Sequence, residues 1–231
     1  MSAPDYLLIG HLTADLTPDG RTPGGTVTYA AHTAHAFGLN VGVLTSAASD
    51  EPLLDALRPV AEVVCIPAAH TTTFENLYTS TGRVQYIRQV ATPLTPAHLP
   101  AAWRGAPLVH LAPIADEVAP EFAAYFDAAT VIVTLQGWLR RWDSAGRVHF
   151  KRWHDAEVLR CLAAVILSSE DLHDAPDLEA ALAHDAPHLF MTQAEQGGVQ
   201  YTHGQPTRYS TPQVEVVNPT GAGDVFAAAL L

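Results

Sequence analysis

The chain has 231 residues, of which 48% are hydrophobic and 16% charged, with a formal net charge of −12. That length suits one domain with a full core, and the composition is globular rather than disordered. The acidic balance argues against a nucleic-acid or anionic-membrane partner, but not against a nucleotide, whose phosphates backbone N–H groups and Mg²⁺ can hold.

Two cysteines far apart, Cys65 and Cys161, point away from a disulfide scaffold and toward a reducing, cytoplasmic setting. The first residues, Met-Ser-Ala-Pro-Asp-Tyr, lack the basic region of a signal peptide. No apolar run is long enough to span a membrane.

Tyr6-Leu7-Leu8-Ile9-Gly10 reads as a short buried strand ending in glycine, and Asp15 follows five residues after Gly10. A polar turn with Pro18-Asp19-Gly20 leads to Pro23-Gly24-Gly25-Thr26. An Ala-rich helical pattern over 27–37, closed by Gly38, comes next. A Gly-Gly pair at a helix start lets a ligand approach the backbone. His32 and His35 lie on this helix without an evident third ligand, so they read as solvated or partly packed histidines. Residues 41–45 form a second strand, 50–58 a short helix and 62–66 a third strand. This β-α-β-α-β order predicts a mainly parallel sheet with right-handed crossovers. Ligands in such sheets sit at the strands' carboxyl ends, where Asp15, Gly24 and Gly25 fall.

At Thr71-Thr72-Thr73-Phe74-Glu75-Asn76 the pattern changes to polar and β-branched residues alternating with aromatics. With a turn over 79–82 and a strand over 83–87 this predicts a hairpin outside the parallel sheet. A proline-punctuated connection over 93–103 precedes a strand at 108–112, a helix at 118–126 and a strand at 130–134. Leu135-Gln136-Gly137-Trp138-Leu139-Arg140 follows, then an exposed hairpin or loop over 143–153. A helix at 155–162 and a strand at 164–167 run into Ser168-Ser169-Glu170-Asp171. There a serine N-cap with acidic first-turn residues is one reading. A helix at 178–184, a strand at 189–192 and a hairpin over 199–210 complete the pattern.

Near the C-terminus an extended run, 213–217, feeds Asn218-Pro219-Thr220-Gly221-Ala222-Gly223-Asp224-Val225-Phe226, and an apolar helical run leaves it. Gly221 and Gly223 allow a tight turn with uncovered N–H groups, and a helix start adds its positive dipole end. A carboxylate beside an anion is unfavourable for binding alone. It makes sense if Asp224 takes a proton from a hydroxyl that attacks the anion.

This last stretch resembles the signature of the ribokinase (PfkB) family of carbohydrate kinases, Asp-Thr-Thr-Gly-Ala-Gly-Asp-x-Phe. The resemblance implies an α/β, ribokinase-like three-layer α/β/α fold with a mainly parallel central sheet and a small β lid. It implies one domain over 1–231, with lid strands from about 11–24 and 71–92. The implied activity is ATP-dependent phosphorylation of a hydroxyl on a small sugar or polyol, with Asp224 as general base and Gly221, Ala222 and Gly223 as the anion hole.

Asp15, Gly24, Gly25, Thr26 and Tyr29 would bind substrate, Tyr29 standing where the family often has Asn. Thr73, Glu75 and Asn76 would reach it from the lid. Gln136 and Arg140 match the family's Asp-x-Gln-Gly-x-x-Arg element, with Thr134 in place of its Asp. An arginine there can neutralise charge on a transferring phosphoryl group. Ser168, Glu170, Thr192, Gly197 and Thr220 would serve the nucleotide. Glu170 or Asp171 would order Mg²⁺ through water; the metal assignment goes to Glu170. Ala194 replaces the first glycine of a Thr-x-Gly-x-x-Gly element.

The Thr-Thr-Thr-Phe-Glu-Asn stretch with Gln-Gly-x-x-Arg is similar to the branch containing plant myo-inositol kinases. A nucleoside kinase of the same superfamily is the alternative enzyme, and a non-catalytic truncated sugar-binding relic the other class. The second rests on the chain stopping at Leu231, where family members continue. A homodimer through the lid and a monovalent-cation dependence stay open.

Overall fold

The computed structural model describes residues 2–79, 82–126, 128–172 and 175–231. Residues 80 and 81, within the expected lid turn, lie outside the described residues. The first strand, β1 (Tyr6–Ile9), has all four side chains fully buried, as expected for a strand covered on both faces. Its alternation sends Leu7 and Ile9 into one apolar layer and Tyr6 and Leu8 into the other.

The remaining elements follow in chain order. A hairpin, β2 (Thr13–Thr17) and β3 (Gly20–Gly24), precedes α1 (Thr26–Ala36), β4 (Val41–Ala48) and β5 (Glu62–Ala68). A second hairpin is β6 (Thr72–Thr79) and β7 (Gly82–Gln89). Then come β8 (Leu108–Leu111), β9 (Thr130–Thr134), β10 (Arg140–Trp142), β11 (Val148–Phe150) and α2 (Ala156–Cys161). The chain continues through β12 (Ala164–Ser168), α3 (Pro176–Asp185), β13 (His188–Thr192), β14 (Gly198–Thr202), β15 (Gln205–Tyr209) and α4 (Ala222–Ala229).

Among the described residues nine strands form the main sheet in the order β15-β14-β13-β12-β9-β8-β1-β4-β5. Pairing is parallel from β13 to β5 and antiparallel across β13-β14-β15. Helices α1 and α4 cover one face through Ala30, Ala31, Ala227 and Ala228. The other face is covered by α2, α3 and short turns that bring in Trp103, Phe122 and Trp138, all essentially buried. This is the ribokinase-like three-layer α/β/α arrangement with a mainly parallel sheet. A separate four-stranded sheet, β3-β2-β6-β7, stands beside it. The hairpin β10–β11 abuts β7 through Ile87 N–H to the Gly146 carbonyl at 2.8 Å.

Three expected elements differ. The helices expected at 50–58 and 118–126 are single 3₁₀ segments, Pro52–Ala56 and Pro120–Ala124. Each opens on a proline and spans only five residues, too short to repay α-helix nucleation. The extended run at 213–217 pairs with no strand among the described residues, and Val214, Val216 and Val217 are exposed. Its alternation is strand-like, but alternation alone does not bring a partner strand alongside.

Candidate functional site

The signature turn keeps its form although Asn218 stands where the family has Asp. The Thr220 N–H donates to Asn218 Oδ1 at 2.9 Å, and the Ala222 N–H to the Pro219 carbonyl at 3.2 Å. Gly221 caps α4 in the left-handed region, φ 80°. No backbone carbonyl among the described residues receives the amides of Gly221, Gly223 or Asp224. A Cβ built on Gly223 would meet nothing within 4 Å. The α4 N-terminus therefore offers open N–H groups and a positive dipole end to an anion.

Asp224 is half-buried in the first turn of α4, and its Oδ1 accepts from Thr26 Oγ1 at 2.7 Å. Burial pushes its carboxyl up, the Thr26 hydrogen bond and the Arg140 charge pull it down, and Asp171 pushes it up again, to about 6. A carboxyl poised there is ionised at neutral pH yet holds a proton more readily than a solvated one.

The glycine pair has a packing cause. A Cβ on Gly24 would lie 2.7 Å from Asp15 Cγ, and one on Gly25 would lie 2.5 Å from the His11 carbonyl. Gly25 also has φ 84°, a region open mainly to glycine. The pair thus lets β3 and α1 close against Asp15 and the end of β1. The Tyr29 ring lies under Gly221, where a Cβ would fall 2.7 Å from its Cε1. Its phenol is raised by burial and by the charges of Asp15 and Asp224, so Tyr29 lies in the field of both carboxylates.

Strand alternation sorts the lid residues. Asp15 is the partner of Phe74 between β2 and β6, so the two share a face. Thr73 and Glu75 point to the opposite face. Thr73 lines a 290 Å³ cavity there with Arg21, Glu51, Thr71 and Gln89. Glu75 is bound by Arg88 Nη2 at 2.5 Å and Nε at 2.8 Å. Of the three polar lid positions only Asn76 faces Asp15's side, where its Oδ1 accepts from Gln85 Nε2 at 3.0 Å. The structure therefore separates Thr73 and Glu75 from the other expected substrate residues.

Arg140 donates to the Ile114 carbonyl at 3.0 Å, and its guanidinium lies 5.5 Å from the Phe74 ring centroid. It is thus directed to the same side as Asp15. Gln136 Nε2 donates to Asp171 Oδ1 at 3.0 Å, and the Ser168 N–H donates to Asp171 Oδ2 at 2.9 Å. Glu170 is exposed, its N–H bonded to Ser168 Oγ at 3.2 Å. The inward carboxylate of this pair is Asp171, and its neighbour Ser168 acts as a cap. Side-chain direction separates the two; spacing does not.

Thr192 stands opposite Ser168 across β12 and β13. Gly197, φ 87°, closes a turn under Tyr209. Ala194 adopts φ 47°, which costs a non-glycine residue about 1–2 kcal/mol and explains why the family's pattern has glycine there. Thr220 is exposed on the approach to the turn. Among the described residues no three metal-ligating side chains converge.

Residues 163–231 match the family model "pfkB family carbohydrate kinase". A cytidine kinase from Thermococcus kodakarensis is 28% identical over 252 residues, spanning 98% of this chain and 87% of that protein. A pyrophosphate-dependent kinase in the ribokinase family, complexed with a pyrophosphate analog and myo-inositol, superposes with a TM-score of 0.81. Its identity is 23%, over 97% of this chain and 85% of that one. Ribokinase from Arabidopsis thaliana, complexed with ribose and ATP, gives a TM-score of 0.71 at 16% identity, over 98% of this chain and 84% of that one. The resemblance read from the signature is thus met by the family match over the C-terminal third and by the fold of nearly the whole chain.

Proposed function

We propose that this ribokinase-like chain is a phosphotransferase that moves the γ-phosphoryl group of ATP to a hydroxyl of a small sugar or polyol. The observation that carries this reading is Asp224: a carboxylate raised to about 6, set among open amides at a helix N-terminus. The acceptor hydroxyl would be held on the side shared by Asp15, Asn76 and Arg140, above the Gly24-Gly25 turn. Its oxygen would form the new P–O bond as the bond to ADP breaks, and its proton would pass to Asp224. Such assistance contributes typically about 10²–10⁴-fold. The amides of Gly221, Gly223 and Asp224, rather than that of Ala222, which is bonded to the Pro219 carbonyl, would stabilise charge on the phosphoryl oxygens, with Arg140 adding a cation. Thr192 at the end of β13, Gly197 in the turn that follows it, and Thr220 just before α4 would flank the donor.

Mg²⁺ would neutralise charge on the phosphates. The site fits it as a cation held largely by phosphate and water, with Asp171 rather than Glu170 the side chain that could order those waters. The outer lid face exposes Leu16 and Leu77, which supports pairing of two copies through the lid.

A second reading, a nucleoside acceptor, is favoured by the 28% identity to a cytidine kinase. A panel assay pairing ATP or pyrophosphate with myo-inositol, ribose, fructose, cytidine and adenosine separates the acceptors and donors. The proposal expects ADP release with a sugar or polyol, abolished in Asp224→Asn while substrate binding is retained. Turnover by Asp224→Asn close to the parent's would refute Asp224 as the base.

A further inference from the structure

Thr26 was expected to face substrate, but its hydroxyl proton is already committed. An ionised carboxylate has no proton to give, so in the 2.7 Å contact Thr26 Oγ1 is the donor and Asp224 Oδ1 the acceptor. A hydroxyl carries one proton, so it cannot donate to Asp224 and to a substrate at once. Thr26 is 3% exposed and is held on several sides. Gly25, at φ 84°, closes over the His11 carbonyl. His11 is fully buried and bonds Thr72 Oγ1 at 2.7 Å and the Thr92 carbonyl at 2.9 Å. Helix α1 packs on α4 through Ala30, Ala31 and Ala228.

We propose that Thr26 is a positioning residue for the base: it locks Asp224 in one orientation and biases it toward the carboxylate. The inference rests on the functional reading above. Other groups face Asp224 from each element around it. Tyr29 comes from α1; Arg140 comes from the start of β10; Asp171 comes from the segment after β12. Arg140 favours the ionised form, and Asp171 and burial oppose it. Thr26 works with Arg140, and it does so through a directed bond rather than a field.

The test follows the Asp224 carboxyl carbon by NMR between pH 4 and 9 in the protein alone, for the parent, Thr26→Val, Thr26→Ala and Thr26→Ser. Loss of the donor should raise the titration midpoint by about one pH unit in Val and Ala, and Ser should restore the parent value. A merely structural role would not produce that split. A midpoint in folded Thr26→Val or Thr26→Ala equal to the parent's would overturn the inference, as would Thr26→Ser shifting as far as Ala. The readout needs no substrate. Failure of the kinase reading would show separately, as activity persisting in Asp224→Asn.

Discussion

Gly221 and Gly223 stand two residues apart, and alanine should act oppositely at the two. At Gly221 the backbone is left-handed, φ 80°, which costs an alanine about 1–2 kcal/mol. The added methyl also enters the Tyr29 ring, 2.7 Å from Cε1 with two further ring atoms closer still. Overpacking of that kind costs a further 1–3 kcal/mol, roughly. For a chain of this size the sum lowers Tm by on the order of 10 °C. Relief by shifting the α4 start moves Asp224 and its amides, and a displacement of about 1 Å can cost about 10²-fold in rate.

At Gly223 a methyl meets nothing within 4 Å and sits inside a helix, where alanine is favoured by up to about 1 kcal/mol. Its stability should be equal or higher. The methyl nonetheless covers the space an anion needs to reach the amides, and kcat/KM should fall by about 10²-fold, the cost of losing one such donor. Differential scanning fluorimetry and steady-state kinetics on both variants form the assay. Parent-like Tm and rate in Gly221→Ala would refute the packing argument. Full activity in Gly223→Ala would refute the anion site.

The raised carboxyl of Asp224 predicts an acid limb in kcat/KM with a midpoint near 6, activity falling as pH drops through it. The folded value lies above the unfolded one, so the folded state binds the extra proton between about 4 and 6 and the charged group costs stability above that window. Asp224→Asn should therefore be more thermostable than the parent at pH 8, with the gap closing toward pH 4; a pH-independent gap would contradict the assignment. Asp171→Asn should raise the Mg²⁺ concentration needed for half-maximal rate and loosen the Gln136 contact. Glu170→Gln should leave that requirement unchanged, and equal effects of the two would undo the choice between them.

Much of the architecture is legible in local pattern. The buried strand at 6–9, the Gly38 helix stop and the signature turn are set by neighbours in sequence. What failed to read out depends on partners. The run at 213–217 alternates like a strand but pairs with none among the described residues. The lid positions Thr73 and Glu75 follow the right composition, yet their face is decided by which β6 residue lies opposite Asp15, a register that composition does not encode. Glu170 and Asp171 are adjacent and alike, and only the direction of the turn after β12 tells them apart. The Gly24-Gly25 pair was legible as special, but the close approach of the Asp15 carboxylate and the His11 carbonyl to it was not.

The hydrogen bond between Thr26 and Asp224 joins residues 198 positions apart. Most of the main sheet is made by chain lying between them. Closing so long a loop is entropically slow and comes after local structure has formed. A folding intermediate with its sheet assembled but α4 undocked would hold the lid and the glycine turn, yet no base in place. Local release of α4 alone would return the native protein to that inert state without unfolding the sheet. Catalytic competence should then appear in refolding as a phase later than the recovery of tryptophan burial, because Trp103 and Trp138 pack on the opposite face of the sheet from α4.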